Sequence, residues 1–450
     1  MADLKRIAED TVKRVISLGA SECDVLGADS RFISAEIEKS SMKQSNMVAD
    51  PGVAIRAFKN GCAGFAFCTG HNVSAIRKAA SLAVSEAASG TPDPDFKGLP
   101  ERKRPPKVGG LFQKRIDNLE PDDIVEMAIS LSDIAGDDRR ITSVNSGVTI
   151  GRGEFALANS NGFSSSQKMT TFEVTTEAVA RDGDRMSSGI DAAWSRKLDE
   201  RLLGIVGESA RKHAVQGLVQ TTQATGDFPV VLDPLAAATI LGAAIGGGVN
   251  AESVQRKRSY LEGKLGTVIG SKNLTVLDDP TIEWANGSYS FDGEGAAAQR
   301  KTVVDKGRLK TYLYDSYTAG KESKKSTGNA SRGGSVWSFR GPPTISPSNL
   351  VIKNGDWGTD EMISETRKGV YLRITYDNPN LATGEFSGLM MESFKIDHGE
   401  LGPSIRQSTI GISLLDLFSR VDMVGKNSRD VFGVRTPAMR ISRARIGGSS

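Results

Sequence analysis

The stretch Phe228-Pro-Val-Val-Leu-Asp-Pro234 decides how this 450-residue chain is divided. Its Val-Val-Leu centre predicts a strand, and the alanine-rich run that follows at 235–245 predicts a helix. The segment before it, 220–226, is polar and rich in turn-forming residues. We therefore place a domain boundary there and predict domains at residues 1–220 and 227–450.

Upstream of this boundary, helical and strand patterns alternate. Apolar residues recur at helical spacing in four segments: 4–15, 73–87, 121–134 and 198–215. Strand-like runs at 53–58 and 62–67 flank Asn60-Gly61, the strongest short-range signal for a β-hairpin. Further strands are predicted between 141 and 181. We expect an N-terminal α/β domain with helices packed on a sheet.

Downstream of the alanine-rich run, the chain consists mostly of short strand patterns separated by turns. Examples are the segments 274–277, 303–304, 370–375 and 393–396, and a late helix is predicted at about 414–421. This pattern predicts a mostly antiparallel C-terminal β domain. The whole chain is therefore expected to be an α+β protein, with its helices clustered in the first half.

Composition and charge exclude several classes of protein. With 57 basic and 54 acidic residues, the net charge is only +3, which makes no electrostatic case for direct nucleic-acid binding. The three cysteines, Cys23, Cys62 and Cys68, favour a reducing compartment over a disulfide framework. We find no secretory signal pattern and no apolar run long enough to cross a bilayer. The sequence predicts a cytoplasmic protein without a membrane partner.

The usual catalytic motifs are missing from the sequence. It contains neither a Gly-x-x-x-x-Gly-Lys-Ser/Thr phosphate loop nor a Gly-x-Ser-x-Gly nucleophile elbow. His71, His213 and His398 are far apart, so a zinc site or a histidine-based triad has few possible members. The tight carboxylate pair in Asp292-Gly-Glu294 would serve either in turn formation or as a cation or acid–base site.

Six short stretches of the sequence follow one another in an order that is typical of one protein family. They are Leu157-Ala-Asn-Ser-Asn-Gly162, Val230-Val-Leu-Asp-Pro234, Ser259-Tyr-Leu-Glu-Gly-Lys-Leu-Gly266, Phe291-Asp-Gly-Glu-Gly295, Ser326-Thr-Gly-Asn-Ala-Ser-Arg332 and Thr383-Gly-Glu-Phe-Ser387. Each string alone would be weak evidence. Together, in this order and at this length, they resemble the TldD/PmbA family over nearly the whole chain.

That resemblance implies a metal site that this chain has lost. In TldD-type members, the helix after the Val-Val-Leu strand carries His-Glu-x-x-x-His, with two zinc-binding histidines and a glutamate general base. By register, the histidine positions here hold Gly242 and Gly247, and the glutamate position holds Ala243. The family's C-terminal cysteine is also missing, since none follows Cys68. Glycine and alanine offer no donor atoms, so we predict no metal, no cofactor and no catalytic residue.

The pattern is similar to the TldE (PmbA) branch of the family. The resemblance implies a non-catalytic subunit that pairs with a TldD-type zinc metallopeptidase to process small or unfolded peptides. Asp292, Glu294, Asn329 and Arg332 lie in the family-like strings and are candidate contacts to peptide or partner, with structural roles as the alternative. A subunit built for pairing exposes an interface, so the isolated chain could form a homodimer.

Two other functions stay open on sequence alone. A peptidase or other hydrolase could use a relocated active site around Asp292 and Glu294. A regulator of DNA gyrase is the other alternative, since the family is historically described as a modulator of that enzyme. An exposed strand edge in the C-terminal domain could take an extended peptide through backbone hydrogen bonds, but the sequence does not indicate which strand.

Overall fold

A computed structural model describes residues 3–334 and 336–448. Its N-terminal part contains a six-stranded sheet and the helices that cover it. The helices are α1 (Leu4–Ser17), α2 (Val73–Ser89), α3 (Lys114–Asp117), α4 (Pro121–Gly136) and α5 (Arg201–Gln216). The strands are β1 (Glu22–Glu38), β2 (Ser41–Lys59), β3 (Cys62–Thr69), β4 (Ile141–Asn159), β5 (Ser164–Asp182) and β6 (Arg185–Ser195).

Two copies of one supersecondary unit build this sheet. Each unit runs helix, three antiparallel strands, helix: first α1-β1-β2-β3-α2, then α4-β4-β5-β6-α5. The units join through their first strands, which gives the order β3-β2-β1-β4-β5-β6 with every neighbour antiparallel. The hairpin predicted at Asn60-Gly61 is confirmed. Both residues have positive φ, +53° and +78°, as the mirror-image turns of two-residue hairpins require.

Both faces of the sheet are covered over most of their length, while residues 41–49 of β2 extend beyond the cover and are exposed. On one face, α1 and α2 pack over β1 to β3, and α4 and α5 pack over β4 to β6. On the other face, Leu26, Ala54 and Phe155 pack against Phe291 and Trp337 of the C-terminal part. The N-terminal α/β architecture predicted from the sequence is thus observed, and its second face forms the contact between the two parts.

Gly189 marks a close approach between β6 and α5 and supports a stability prediction. A Cβ on Gly189 would lie 2.2 Å from Ala210 O and 2.4 Å from Ala214 N. Since backbone cannot move aside cheaply, Gly189→Ala should destabilise the fold by about 2–3 kcal/mol in urea denaturation. Gly204→Ala, in the same α5 but facing open space, is the matched control and should stabilise by up to ~1 kcal/mol. Equal effects would contradict the packing argument.

The C-terminal part is rich in short strands. Its helical segments are α6 (Pro234–Ala237), a π-turn (Ala238–Gly242), α7 (Ala243–Gly248), α8 (Ala251–Gln255), α9 (Ser316–Lys321), α10 (Thr359–Ser364) and α11 (Leu414–Ser419). The first strands are β7 (Gln220–Thr221), β8 (Gly226–Leu232), β9 (Val276–Asp278), β10 (Lys301–Asp305), β11 (Arg308–Leu309), β12 (Ala330–Ser331), β13 (Thr344–Ile345) and β14 (Leu350–Ile352). The remaining strands are β15 (Lys368–Ile374), β16 (Glu385–Leu389), β17 (Glu392–Asp397), β18 (Glu400–Ile405), β19 (Thr409–Ser413), β20 (Val421–Val431) and β21 (Val434–Gly447).

Thirteen of these strands form one mixed sheet, which packs on a large core and on a smaller apolar cluster that includes Val231, Tyr371 and Phe394. Most pairs are antiparallel, as predicted, but β8 with β15, β14 with β21 and β7 with β18 are parallel. The polar segment at 220–226 is not only a turn: Gln220 and Thr221 pair with β18 and add a strand to this sheet. The division of the chain at that segment stays a prediction.

Candidate functional site

The helix that follows β8 begins with a side-chain cap. Asp233 Oδ1 accepts a hydrogen bond from the Leu235 N–H at 2.9 Å, and Pro234 occupies the first helical position, where its missing N–H is harmless. The single helix predicted at 235–245 is interrupted: a π-turn at Ala238–Gly242 separates the α-helical turns on either side. π-Turns of this kind are frequent at functional sites.

The three positions of the lost motif face one cavity of about 420 Å³, which we call the helix cavity. A Cβ on Gly242 would lie 2.8 Å from Val434 Cγ2, and one on Gly247 would lie 2.3 Å from Leu381 Cδ1. Ala243 lies beside Gly242 in the same wall. Apolar side chains therefore occupy the space into which side chains at 242 and 247 would extend. These residues do not fit a metal ion, because their side chains have no donor atoms.

Each of the three histidines has a structural role. His71 Nε2 lies 2.9 Å from Ala28 O, His213 Nδ1 lies 2.7 Å from Ser209 O, and His398 sits in a turn with φ +52°. Within residues 3–334 and 336–448, no three His, Cys, Asp or Glu side chains are grouped so as to hold a metal ion.

The helix cavity, which residues of the C-terminal part line, adjoins two cavities between the two parts of the chain. The segment 346–348 lines both the helix cavity and a central cavity of about 350 Å³. Glu173 and Trp194 line both the central cavity and an outer cavity of about 610 Å³. Phe432 lies in the wall of all three. We call these three cavities together the interdomain groove.

Phe432 occupies a strained and exposed position at the centre of this groove. It forms the turn between β20 and β21 with Gly433, and its φ of +51° is uncommon for any residue other than glycine. Its side chain is 58% exposed, yet its ring lies 4.6 Å from that of Trp194 on β6. The turn geometry accounts for this φ, since Asn60, Lys306 and His398 have similar values in other two-residue turns, and no signal in the sequence singled out Phe432.

The Asp292 carboxylate is fully buried, and its oxygens accept hydrogen bonds from backbone N–H groups. Its Oδ1 accepts hydrogen bonds from the N–H groups of Glu294 and Ala296, at 3.0 and 2.9 Å, and its Oδ2 accepts one from Ala330 at 3.0 Å. Burial, together with the nearby charge of Glu294, raises the pKa of Asp292 to about 7. The backbone donors oppose this shift. The side chain thus shapes the 292–296 turn and joins it to β12.

Glu294 and Arg332 form an ionic cluster with two residues of the N-terminal sheet. Glu294 Oε1 accepts from Arg56 at 3.0 Å, and Arg56 Nε also donates to Asp24 Oδ2 at 2.7 Å. Arg332 donates to Asp24 Oδ1 at 3.2 Å. Burial lowers the pKa of Arg332 to about 10. Two carboxylates and two guanidinium groups are thereby paired out of water across the junction of the two parts.

Asn329 belongs to a neighbouring set of buried hydrogen bonds. Its Nδ2 donates to Asp278 Oδ2 at 2.9 Å and to Ser346 O at 3.1 Å, and its Oδ1 accepts from Lys301 at 2.8 Å. The four candidate residues are at most 5% exposed and are all engaged within the chain. Their hydrogen bonds describe structural roles, and a direct contact with peptide or partner stays a prediction.

A second ionic cluster, which sequence reasoning missed, also joins the two parts. Asp191 on β6 pairs with Arg429 at 2.7 Å and with Arg373 at 3.5 Å. Arg373 also pairs with Glu392, whose Oε1 accepts from the Ile190 N–H at 2.6 Å. These side chains therefore bind the outer edge of β6. The partners are far apart in sequence, so no local spacing could have revealed them.

His213, beside this cluster, supports a prediction on pH dependence. Burial, reinforced by the positive charge of Arg373, lowers its pKa from 6.5 to about 3. The unfolded chain takes up a proton below about pH 6.5 while the folded chain does not, so stability falls as pH falls. Between pH 7.5 and 5, the wild type should lose roughly 1–2 kcal/mol more than His213→Gln in urea denaturation. Parallel pH profiles for the two proteins would contradict a buried neutral imidazole.

Comparison with known proteins identifies the family. Residues 23–87 match the model of PmbA/TldA metallopeptidase domain 1, residues 114–218 the central domain, and residues 225–448 the C-terminal domain. An uncharacterized protein of Methanocaldococcus jannaschii is 30% identical over 415 residues, which cover 90% of this chain and 93% of that protein. The chain belongs to the PmbA/TldD family.

Other members of the PmbA/TldD family match along their whole length. A metalloprotease of Methanothermobacter thermautotrophicus is 28% identical, with 95% of each chain covered. The crystal structure of a candidate modulator of DNA gyrase from Bacteroides thetaiotaomicron superposes with a TM-score of 0.87 at 25% identity and covers 100% of both chains. TldE from Thermococcus kodakarensis has the same fold, with a TM-score of 0.89, 20% identity and coverage of 98% and 99%.

The recognition of a metallopeptidase-related family from the six sequence strings is thus confirmed. In the part of the chain that the structure describes, no helix combines the length and the apolar character needed to span a membrane.

Proposed function

We propose that this chain is a non-catalytic, cytoplasmic TldE/PmbA-like subunit, which pairs with a TldD-type zinc metallopeptidase and helps to bind its peptide substrate. The main support for the proposal is the identity and packing of the residues at the motif positions. Gly242 packs against Val434, and Gly247 packs against Leu381, at the positions where relatives are expected to hold zinc. A chain without ligands or a general base needs a second subunit to cut a peptide.

The interdomain groove supports a role in substrate binding. It consists of three adjoining cavities, each large enough for one or more side chains, and it runs past the helix with the lost motif. Arg373, Arg429 and Glu392 occupy the outer edge of β6, so that edge is not free to pair with a peptide. We therefore assign peptide contact to the groove and not to this strand edge.

A relocated hydrolytic centre at Asp292 and Glu294 is not favoured by their surroundings. Both side chains are at most 1% exposed, and their oxygens accept hydrogen bonds from backbone N–H groups and from Arg56. A general base must reach the proton that it abstracts, and these carboxylates are out of reach of a peptide in the groove.

The test combines metal content with activity on mixing. The purified chain is expected to hold no stoichiometric zinc by elemental analysis and to leave an unfolded peptide intact. Mixed with a TldD-type chain from the same cell, it should support cleavage that a chelator abolishes. The matched control is the same partner with one motif histidine replaced by alanine. Chelator-sensitive cleavage by this chain alone would refute the proposal.

A further inference from the structure

The N-terminal sheet ends, on one side, in an edge that changes strand along its length. β3 pairs with residues 52–59 of β2 and is the edge strand over that stretch. Residues 41–50 of β2 pair with β1, and no strand in the described part of the chain pairs with their outer side. Every residue from 41 to 49 is exposed. We call the segment 41–49 the open edge.

The backbone groups of Ser45, Met47 and Ala49 point outward from the open edge. Pro51 O accepts a hydrogen bond from the Gly70 N–H at 2.7 Å, on the side where β3 lies. Backbone groups alternate in direction along a strand, and the pairing of residues 44–58 with β1 is regular. The N–H and C=O groups at 45, 47 and 49 therefore face the same side as Pro51 O. Within residues 3–334 and 336–448, no hydrogen bond reaches them.

The open edge lacks the protection that β3 has. Strand edges attract other strands, and proteins usually block them with charge, proline or a covering side chain. On β3, the Phe65 N–H donates to Glu86 Oε2 of α2 at 2.8 Å. The run Ser45-Asn-Met-Val-Ala49 contains no charged residue and no proline. Its outward backbone groups are therefore available to a further strand.

Apolar side chains stand on both faces of the open edge. Met47 is 58% exposed and lies opposite Ile33, on the face that α4 covers further into the sheet. Val48 is 54% exposed and lies opposite Phe32, on the other face. A strand added at this edge would extend both faces and cover part of each side chain.

The same segment of a second copy matches the open edge residue by residue. In an antiparallel arrangement with a two-fold axis at Met47, this residue faces the partner's Met47, and Ser45 faces the partner's Ala49. These residues all carry outward groups, so each facing pair exchanges two hydrogen bonds. Pairing ends at Pro51, which has no N–H, and at the bulge after Gln44.

The charges beside the open edge do not oppose this pairing. Lys43 pairs with Glu38 at 2.9 Å, and Asp50 pairs with Arg340. Each charge is thus matched within its own chain and leaves the uncharged run between them free to approach a strand of the same composition. A strongly charged partner strand would gain no ion pair along that run.

We propose that the open edge is a docking surface for a second copy of this chain, which adds its own open edge antiparallel about a two-fold axis at Met47. The two six-stranded sheets then continue into each other. This inference goes beyond the proposed function, because it concerns the chain without a metallopeptidase subunit. The surface is small, so association should be reversible, with a dissociation constant of about 10 µM.

Sedimentation velocity of the full chain at about 1 to 100 µM tests this inference. The sedimentation coefficient is expected to rise from the monomer value to the dimer value across that range. A chain that stays monomeric throughout would overturn the inference.

Charge at the two-fold axis tests the surface and the register together. Met47→Lys and Met47→Glu each place like charges opposite each other and should raise the dissociation constant at least roughly 30-fold. An equimolar mixture of the two variants should associate again, because opposite charges then meet. The matched control is Met186→Lys, on the exposed start of β6 at the far end of the same sheet, which should leave the dissociation constant unchanged.

The variants should all fold, since position 47 is exposed and its N–H bonds no other part of the described chain, and circular dichroism melting checks this. Folded Met47→Lys and Met47→Glu that dimerise like the wild type would overturn the assignment to the open edge. A mixture that stays monomeric would overturn the two-fold register. The proposed function is tested separately, by zinc content and by cleavage on mixing.

Discussion

Replacing Arg332 by methionine is expected to destabilise the folded chain by about 3–5 kcal/mol. The Arg332 side chain is fully buried and donates to Asp24, to Gly293 O and to Gly341 O. Without it, the carboxylates of Asp24 and Glu294 share the single guanidinium of Arg56. An excess negative charge then lies out of water, where its desolvation is not repaid.

Urea denaturation at neutral pH measures this effect. The matched control is Arg340→Met. Like Arg332, Arg340 pairs with an aspartate of the N-terminal sheet, in this case Asp50 on β2, but half of its side chain is exposed to water. Since Arg340 lies in water, its loss should lower stability far less than the loss of Arg332. Adding Asp24→Asn to Arg332→Met should recover part of the lost stability, because it removes the unpaired charge. If the Arg332→Met variant unfolded at the same urea concentration as the wild type, the cluster would not hold the two parts together.

Restoring the family motif should fail to restore the metal site. The triple variant Gly242→His, Ala243→Glu, Gly247→His is expected to bind no stoichiometric zinc and to lose roughly 2–6 kcal/mol of stability, since two positions become overpacked. The new side chains at 242 and 247 would meet Val434 and Leu381. The third protein ligand also remains absent, because no cysteine follows Cys68.

Metal content after dialysis against zinc, and urea denaturation of the same samples, test this expectation. Adding Val434→Ala and Leu381→Ala to the triple variant provides the matched comparison. If steric filling is the cause of the instability, these two substitutions should cost less in the triple variant than in the wild type. A triple variant with one zinc per chain and unchanged stability would show that the cavity is more adaptable than its packing indicates.

The sequence predicted the local elements well and their irregularities poorly. The Asn60-Gly61 hairpin and the helix beginning at Pro121 follow from turn chemistry and apolar spacing, which act over a few residues. The π-turn at Ala238–Gly242 was missed, because an alanine-rich run has the same composition in α and π geometry. The parallel pairing of β8 with β15 was missed as well, since it joins strands about 140 residues apart.

The candidate site was predicted in part. The positions Gly242, Ala243 and Gly247 were assigned by register, and the structure shows that they line one cavity. Asp292, Glu294 and Arg332 were singled out as members of family-like strings, but their partners Asp24 and Arg56 carried no signal. The aromatic pair in the groove was also missed, because Trp194 and Phe432 meet only when β6 packs beside the turn between β20 and β21.

The sequence by itself determined that positions 242, 243 and 247 carry no side-chain donor atom, since glycine and alanine have none in any fold. Only the tertiary structure decided what replaced it. Val434 and Leu381 lie close beside Gly242 and Gly247, and Arg332 reaches Asp24 across 308 positions of sequence. The physical reason is the distance along the chain between the residues that determine each property. Donor atoms are a property of single residues, whereas filled cavities and buried ion pairs exist only where packing brings distant segments into contact.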